Sequence, residues 1–190
     1  IEAGLVKRDA GRNPETGDAV KEARYRLKDN YARFYLKFIE PVKELIDNGG
    51  FSFTSLKALG GWSTIRGLAF ENLVLNHYPE FASRLGLSTT LIKSAAPYFK
   101  KGNRKFGETG CQIDLLLQTK HTVYVIEIKR KGRPIDKTII DEVSDKLHRI
   151  PRRKRLSLRP VLVYEGELDR SVEADGYFDA IIPFRVLLGL

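Results

Sequence analysis

Asp114, Glu127 and Lys129 are the residues of this 190-residue chain whose types and spacing point most directly to chemistry. They stand in Gly110-Cys111-Gln112-Ile113-Asp114-Leu115-Leu116-Leu117 and in Tyr124-Val125-Ile126-Glu127-Ile128-Lys129, two otherwise largely apolar segments. Side chains alternate faces along a strand, so Glu127 and Lys129 share one face while Ile126 and Ile128 take the other. The connection Thr119-Lys120-His121-Thr122 is short enough for a hairpin. If it closes with Gln118 facing Val123, Asp114 lies directly across from Glu127. Ile113, Leu115, Leu117, Tyr124, Ile126 and Ile128 then form a wholly apolar opposite face, and Gln112, Asp114, Glu127 and Lys129 gather at the end away from the turn. Two opposed carboxylates repel. One remedy is a divalent cation of the Mg²⁺ type, which takes carboxylate, carbonyl and water oxygens and leaves waters for a phosphate to displace. The other is Lys129 alone, as a structural ion pair.

A third carboxylate comes from a helix. Ser63 is a candidate cap for a helix from Thr64 to Tyr78, stopped by Pro79, in which Glu71 has Leu68, Val74 and Leu75 as face neighbours. A carboxylate on an apolar face needs a partner or a polar pocket, and the Asp114–Glu127–Lys129 cluster offers one. Before this helix, two short strands around a Gly- and Pro-containing loop predict a hairpin. Asp29 then caps an amphipathic helix carrying Phe34, Tyr35, Phe38, Ile39, Val42, Leu45 and Ile46, kinked at Pro41. After it, a short helix near Phe81–Leu85 precedes strands at Leu91–Phe99, Gln112–Gln118 and Thr122–Arg130. A helix from Asp136 to Ile150, a strand at Arg159–Tyr164, a helical turn at Asp169–Ala174 and a last strand at Asp179–Pro183 complete the chain. That order describes an α/β domain with a central mixed sheet.

Composition narrows the partners. Lys plus Arg number 33 against 24 Asp plus Glu, for a net charge of +9, while 42% hydrophobic residues promise a core. Such a balance suits a polyanion, nucleic acid first. The basic runs are Lys100, Lys101, Arg104 and Lys105; Lys129 to Arg133, with Arg130, Lys131 and Arg133; and Arg152, Arg153, Lys154 and Arg155. The first two flank the acidic strands, where a backbone phosphate would approach. No apolar stretch is long enough to span a membrane, and the single cysteine, Cys111, suits a reducing cytoplasm. His77, His121 and His148 fall in no ligand spacing. The lack of Met and the start at Ile1 suggest a piece of a longer protein.

Asp114, followed by Glu127-Ile128-Lys129 on the next strand and preceded by Glu71 on a helix, resembles the PD-(D/E)xK nuclease superfamily. The Gly-x-Gln-Ile-Asp form looks like the nuclease-like domain at the C-terminus of certain archaeal and bacterial AAA+ family ATPases. Tyr25-Arg26-Leu27-Lys28-Asp29, with Tyr31, Phe34 and Phe38, is similar to the junction after their winged helix. One departure is Ile113, which stands where the superfamily name has Pro. The resemblance implies a restriction-endonuclease-like core over residues 61–190, a helical connector over 29–60 and the trailing hairpin of a truncated winged-helix module over 1–28. It further implies Mg²⁺ or Mn²⁺ as cofactor, DNA as substrate and an ATPase portion N-terminal to this chain.

Asp114 would bridge or ligate the metal, with Glu127 and the Ile128 carbonyl as further ligands. Lys129 would orient the attacking water or stabilise charge on the phosphate, and Glu71 would hold a second metal or its water. Gln112 and Lys146 would support them, Lys146 by pointing a cation at the cluster from the inward side of its helix. Two rival readings stay open: a nucleic-acid-binding or regulatory module without turnover, and a self-association module forming a homo-oligomer of ATPase subunits.

Overall fold

Thr122–Arg130 forms the central strand because its Val and Ile run is suited to burial on both faces. The computed structural model describes residues 4–52, 55–103, 105, 107, 109–151 and 156–188. In chain order the elements are strands β1 (Val6–Arg12) and β2 (Ala19–Leu27), helices α1 (Asn30–Phe34) and α2 (Lys43–Asp47), α3 (Trp62–Asn76), α4 (Tyr78–Arg84), β3 (Ser94–Lys100), β4 (Cys111–Gln118), β5 (Thr122–Arg130), α5 (Thr138–Arg149), β6 (Ser157–Glu165), α6 (Arg170–Asp175) and β7 (Ala180–Pro183). A five-stranded sheet runs β3-β4-β5-β6-β7, antiparallel from β3 to β5 and parallel from β5 to β7. The fold is therefore the mixed α/β core expected, compatible with a restriction-endonuclease-like arrangement, with the β1–β2 hairpin as a separate antiparallel ribbon. Among the described residues no helix is long and apolar enough to cross a membrane.

Helices cover both faces. Phe70, Val74 and Leu75 of α3 and Phe81 of α4 pack with Leu115, Leu117, Ile126 and Ile128. Ile139 and Val143 of α5 and Val172 of α6 pack with Leu162 and Tyr164 on the other side. The expected register of the β4–β5 hairpin holds from Gln118↔Val123 to Leu115↔Ile126.

One expectation about the faces fails, and the reason is local. Between the pairs Ala96↔Leu116 and Tyr98↔Ile113, β3 places a single residue, Pro97, opposite two of β4, Asp114 and Leu115. Proline has no N–H to give the ladder and is tolerated at an edge strand or a bulge. The extra residue shifts the alternation of β4. Ile113 consequently joins Cys111, Leu116, Val123 and Val125 rather than the face carrying Leu115 and Leu117.

The chain from Asn30 to Asp47 departs further from expectation. Instead of one kinked amphipathic helix it forms α1, a five-residue wide turn at Tyr35–Ile39, a tight turn over Glu40–Val42, and α2. None of its residues is fully buried: Phe34 and Phe38 lean on Trp62, while Tyr31, Leu36 and Leu45 stay exposed. Its helical periodicity is real, but the covering layer touches only part of the stripe. The α3 boundary also shifts, since Gly61, at φ 83°, precedes the helix in place of a Ser63 cap, and Pro79 opens α4.

What fixes the hairpin and α1 to the core is polar. Asn72, buried in α3, donates through Nδ2 to the Lys28 carbonyl at 2.5 Å and to Asn30 Oδ1 at 2.8 Å. Asn30 Nδ2 in turn donates to the Ala69 carbonyl, and Arg26 to Asn76 Oδ1. Asn72→Ala is expected to strand the Lys28 carbonyl and lower stability by about 2 kcal/mol, read as a lower urea midpoint.

Candidate active site

The β4–β5 ladder stops at Leu115↔Ile126, one pair short of Asp114 and Glu127. At that point the Asp114 carboxylate takes over from the missing backbone pairing, its Oδ2 accepting the Ile128 main-chain N–H at 2.9 Å. The bulge opposite Pro97 is thus what re-aims Asp114, a use to which bulges beside functional sites are often put. A cleft of about 450 Å³ opens there, and Glu71, Gln112, Asp114, Glu127, Lys129 and Lys146 all line it. Glu71 arrives from α3, Lys146 from α5, and the others from the two parting strands.

Glu127 is the most deeply placed, 2% exposed. Lys146 Nζ donates to both its oxygens, at 2.7 and 2.6 Å, and Lys129 Nζ stands 3.1 Å from Oε1. Lys129 also donates to Glu142 Oε2 at 2.8 Å. Burial works to lower the pKa of the Lys129 ammonium, but Glu142 and Glu127 together outweigh it and hold the group above its ordinary value.

The two other carboxylates are not so compensated. Burial first, and then the negative charge of Glu127, push the Asp114 carboxyl up to about 7, against the Ile128 N–H and Lys146, which pull it down. Glu71 is raised as well, by burial and then by Glu127 and Asp9, with Arg26 and Arg33 opposing. In both cases burial leads and the neighbouring carboxylate Glu127 adds to it, so the charged forms of Asp114 and Glu71 are the ones the cleft disfavours.

Among the described residues no group of three or more His, Cys, Asp and Glu side chains is arranged to hold a metal ion. Such a donor set does not fit a closed cage of the zinc type. Mg²⁺ and Mn²⁺ ask less of a site, being commonly held by one or two carboxylates with water filling the remaining positions. Asp114 and Glu127 would supply those carboxylates, and a cation between them would relieve the charge that now raises Asp114.

The basic residues divide. Lys101, Lys105 and Arg133 are exposed, and Lys100 and Lys131 half-buried. Arg130 is tied through Nε to Glu165, with a side chain only 11% exposed, so it is committed to the fold rather than offered to a phosphate. Arg104, Arg152, Arg153 and Lys154 lie outside the described residues.

Sequence reasoning passed over Glu142 and Arg149. Both stand one turn of α5 from Lys146, Glu142 at i−4 holding Lys129, and Arg149 at i+3 lining the cleft and donating to the Gly110 carbonyl. Their helical spacing from Lys146 was the available signal.

The site and sheet together define a mixed α/β domain with a cleft at a strand divergence, lined by three carboxylates and by lysine and arginine side chains. No protein-family model matches the chain, and no curated protein matches it. A solved structure, the crystal structure of protein VC1899 from Vibrio cholerae, is similar over 77% of this chain, with 15% identity and a TM-score of 0.49. The match takes in 39% of the length of that protein, so this chain spans about two fifths of it.

Proposed function

We infer that this chain is a divalent-metal-dependent endonuclease domain that hydrolyses phosphodiester bonds in DNA, of the PD-(D/E)xK kind and part of a larger ATPase. The observation that carries the reading is the convergence of Asp114, Glu127, Lys129 and Glu71 on one cleft where β4 and β5 part. The basic surface supports it, because phosphate contacts confer affinity without sequence preference. The buried lone Cys111 suits a reducing, cytoplasmic setting.

Asp114 and Glu127, with the Ile128 carbonyl, would hold Mg²⁺ or Mn²⁺, which when bound lowers the pKa of a water and offsets charge on the phosphate. Lys129, two residues along β5 from Glu127, holds its ammonium protonated at the cleft, ready to meet the charge that develops on a phosphate oxygen. Lys146, donating to both oxygens, fixes Glu127 in the interior. Glu71 stands at the cleft wall, placed to orient a water.

Supercoiled plasmid incubated with Mg²⁺ or Mn²⁺ tests this: wild type is expected to nick it, and Asp114→Ala to lose at least about 100-fold. Equal nicking by both proteins would mark a contaminant and remove the assignment. A second reading has one observation in its favour, namely that both Glu127 oxygens are already held by lysines. On that reading the cluster is structural and the domain binds or regulates without turnover; tight, salt-sensitive DNA binding without nicking would select it.

A further inference from the structure

The β1–β2 hairpin does not add to the five-stranded sheet as a sixth strand; it stands off the edge strand β3 and leaves a groove of about 820 Å³. Gly17 anchors its tip: at φ 81° it lies so close to Gln118 that a Cβ there would sit 3.1 Å from Oε1. The opposite end of the groove runs into the catalytic cleft, because Glu71 and Gln112 line both.

The walls of this groove have a mixed chemistry. Tyr25 comes from the hairpin, Tyr98 and Phe99 from β3, and Tyr25 and Phe99 are 63% and 48% exposed. The Arg24 guanidinium lies 3.5 Å over the Phe99 ring and reaches Gln112 Oε1 at 3.5 Å. Arg12 and Lys101 add further positive charge to the walls. Of the acidic groups there, Asp9 is neutralised by Arg26 at 2.6 Å, Glu15 and Glu22 stand on the hairpin wall, and Glu71 lies at the end shared with the cleft. Nη1 of Arg26, in the same wall, is buried with no hydrogen-bond partner among the described residues, and a buried donor without an acceptor is uncommon.

A duplex keeps its bases stacked inside and offers a groove of this kind only phosphates. An unpaired strand offers both parts: base faces for the aromatic rings and the Arg24 plane, and acidic oxygens for the arginines. We propose that the hairpin–β3 groove binds a single-stranded segment of nucleic acid and leads it to the cleft, so that the substrate is one with unpaired nucleotides beside the scissile bond. The direction of delivery rests on the nuclease reading of the cleft; the binding itself does not.

Anisotropy of labelled twelve-nucleotide oligo-dT, oligo-U and a duplex of equal length, in EDTA and on the Asp114→Ala protein, separates the two claims. Single strands are expected to bind more tightly than the duplex. Phe99→Ala and, independently, Arg24→Gln are expected to weaken single-strand binding about 10-fold while leaving the duplex unchanged. Comparison of oligo-dT with oligo-U identifies DNA or RNA as the source of the strand. Iodouracil-substituted oligonucleotide should photo-crosslink to Tyr25, Tyr98 or Phe99. Equal affinity for duplex, indifference to both substitutions, crosslinks elsewhere only, or uptake of a small apolar dye with exclusion of oligonucleotide would each overturn the proposal. Absence of plasmid nicking by the wild-type protein in Mg²⁺ or Mn²⁺, with groove binding intact, would remove the nuclease reading alone.

Discussion

In metal-free buffer at about pH 8, Asp114→Asn is expected to be more stable than the wild type, by about 2 kcal/mol, or a rise of roughly 5 °C in melting temperature. The wild-type carboxyl is raised from 3.8 to about 7 by burial and by Glu127. A carboxyl raised on folding binds its proton more tightly in the folded state, so stability falls as pH climbs from about 4 to 7. Above that window the folded protein carries the whole cost of a buried charge. Asparagine removes the charge and keeps an oxygen for the Ile128 N–H, although its own amide must still be desolvated, which holds the gain below the full shift. Below pH 4 the advantage should vanish, because Asp114 is then protonated in both states. Millimolar Mg²⁺ should reverse the order by stabilising only the wild type. Melting curves of the two proteins at pH 4, 6 and 8, with and without Mg²⁺, decide it; equal curves throughout would mean that Asp114 is neither strained nor a ligand.

The second large effect separates two lysines that share one carboxylate. Lys146→Met should lower stability by about 2 kcal/mol, since Glu127 is buried and would lose both of its shortest ion-pair contacts. Lys146 itself is about a quarter exposed, which keeps the loss below that of a fully buried pair. Lys129→Ala should leave the melting temperature within about 2 °C, because Lys146 still neutralises Glu127 and Glu142 is free to turn to solvent. Its cost should appear in catalysis: plasmid nicking is expected to drop at least about 100-fold with folding intact. The opposite pattern, with stability lost at Lys129 and nicking lost at Lys146, would exchange the roles given to the two residues.

Much of the site was legible because its signals are short-range. The β4–β5 register follows from one tight turn and a period of two, and Glu71 stands out as a charge on an apolar helix face. The bulge was not legible, since it arises from Pro97 on one strand meeting Asp114 and Leu115 on another, and no single segment shows it. The face assigned to Ile113 failed for that reason. The helix expected from Asp29 onward failed differently: its apolar spacing resembles that of a core helix, yet only Trp62 and a few neighbours cover it. Glu142 and Arg149 escaped notice because each looks like an ordinary solvated charge until α5 is laid against the sheet.

On the nuclease reading, the extra residue opposite Pro97 sets a trade between architecture and chemistry. A deletion of one residue at Leu115, paired with a hydrogen-bonding residue at 97, would let the two antiparallel strand pairs zip without interruption. Such a chain would gain ladder bonds and lose its cleft, since no carboxylate would any longer be turned out of the sheet toward Ile128. Variants bred only for heat resistance should therefore accumulate changes at this one irregularity, and those bred for turnover should leave it alone.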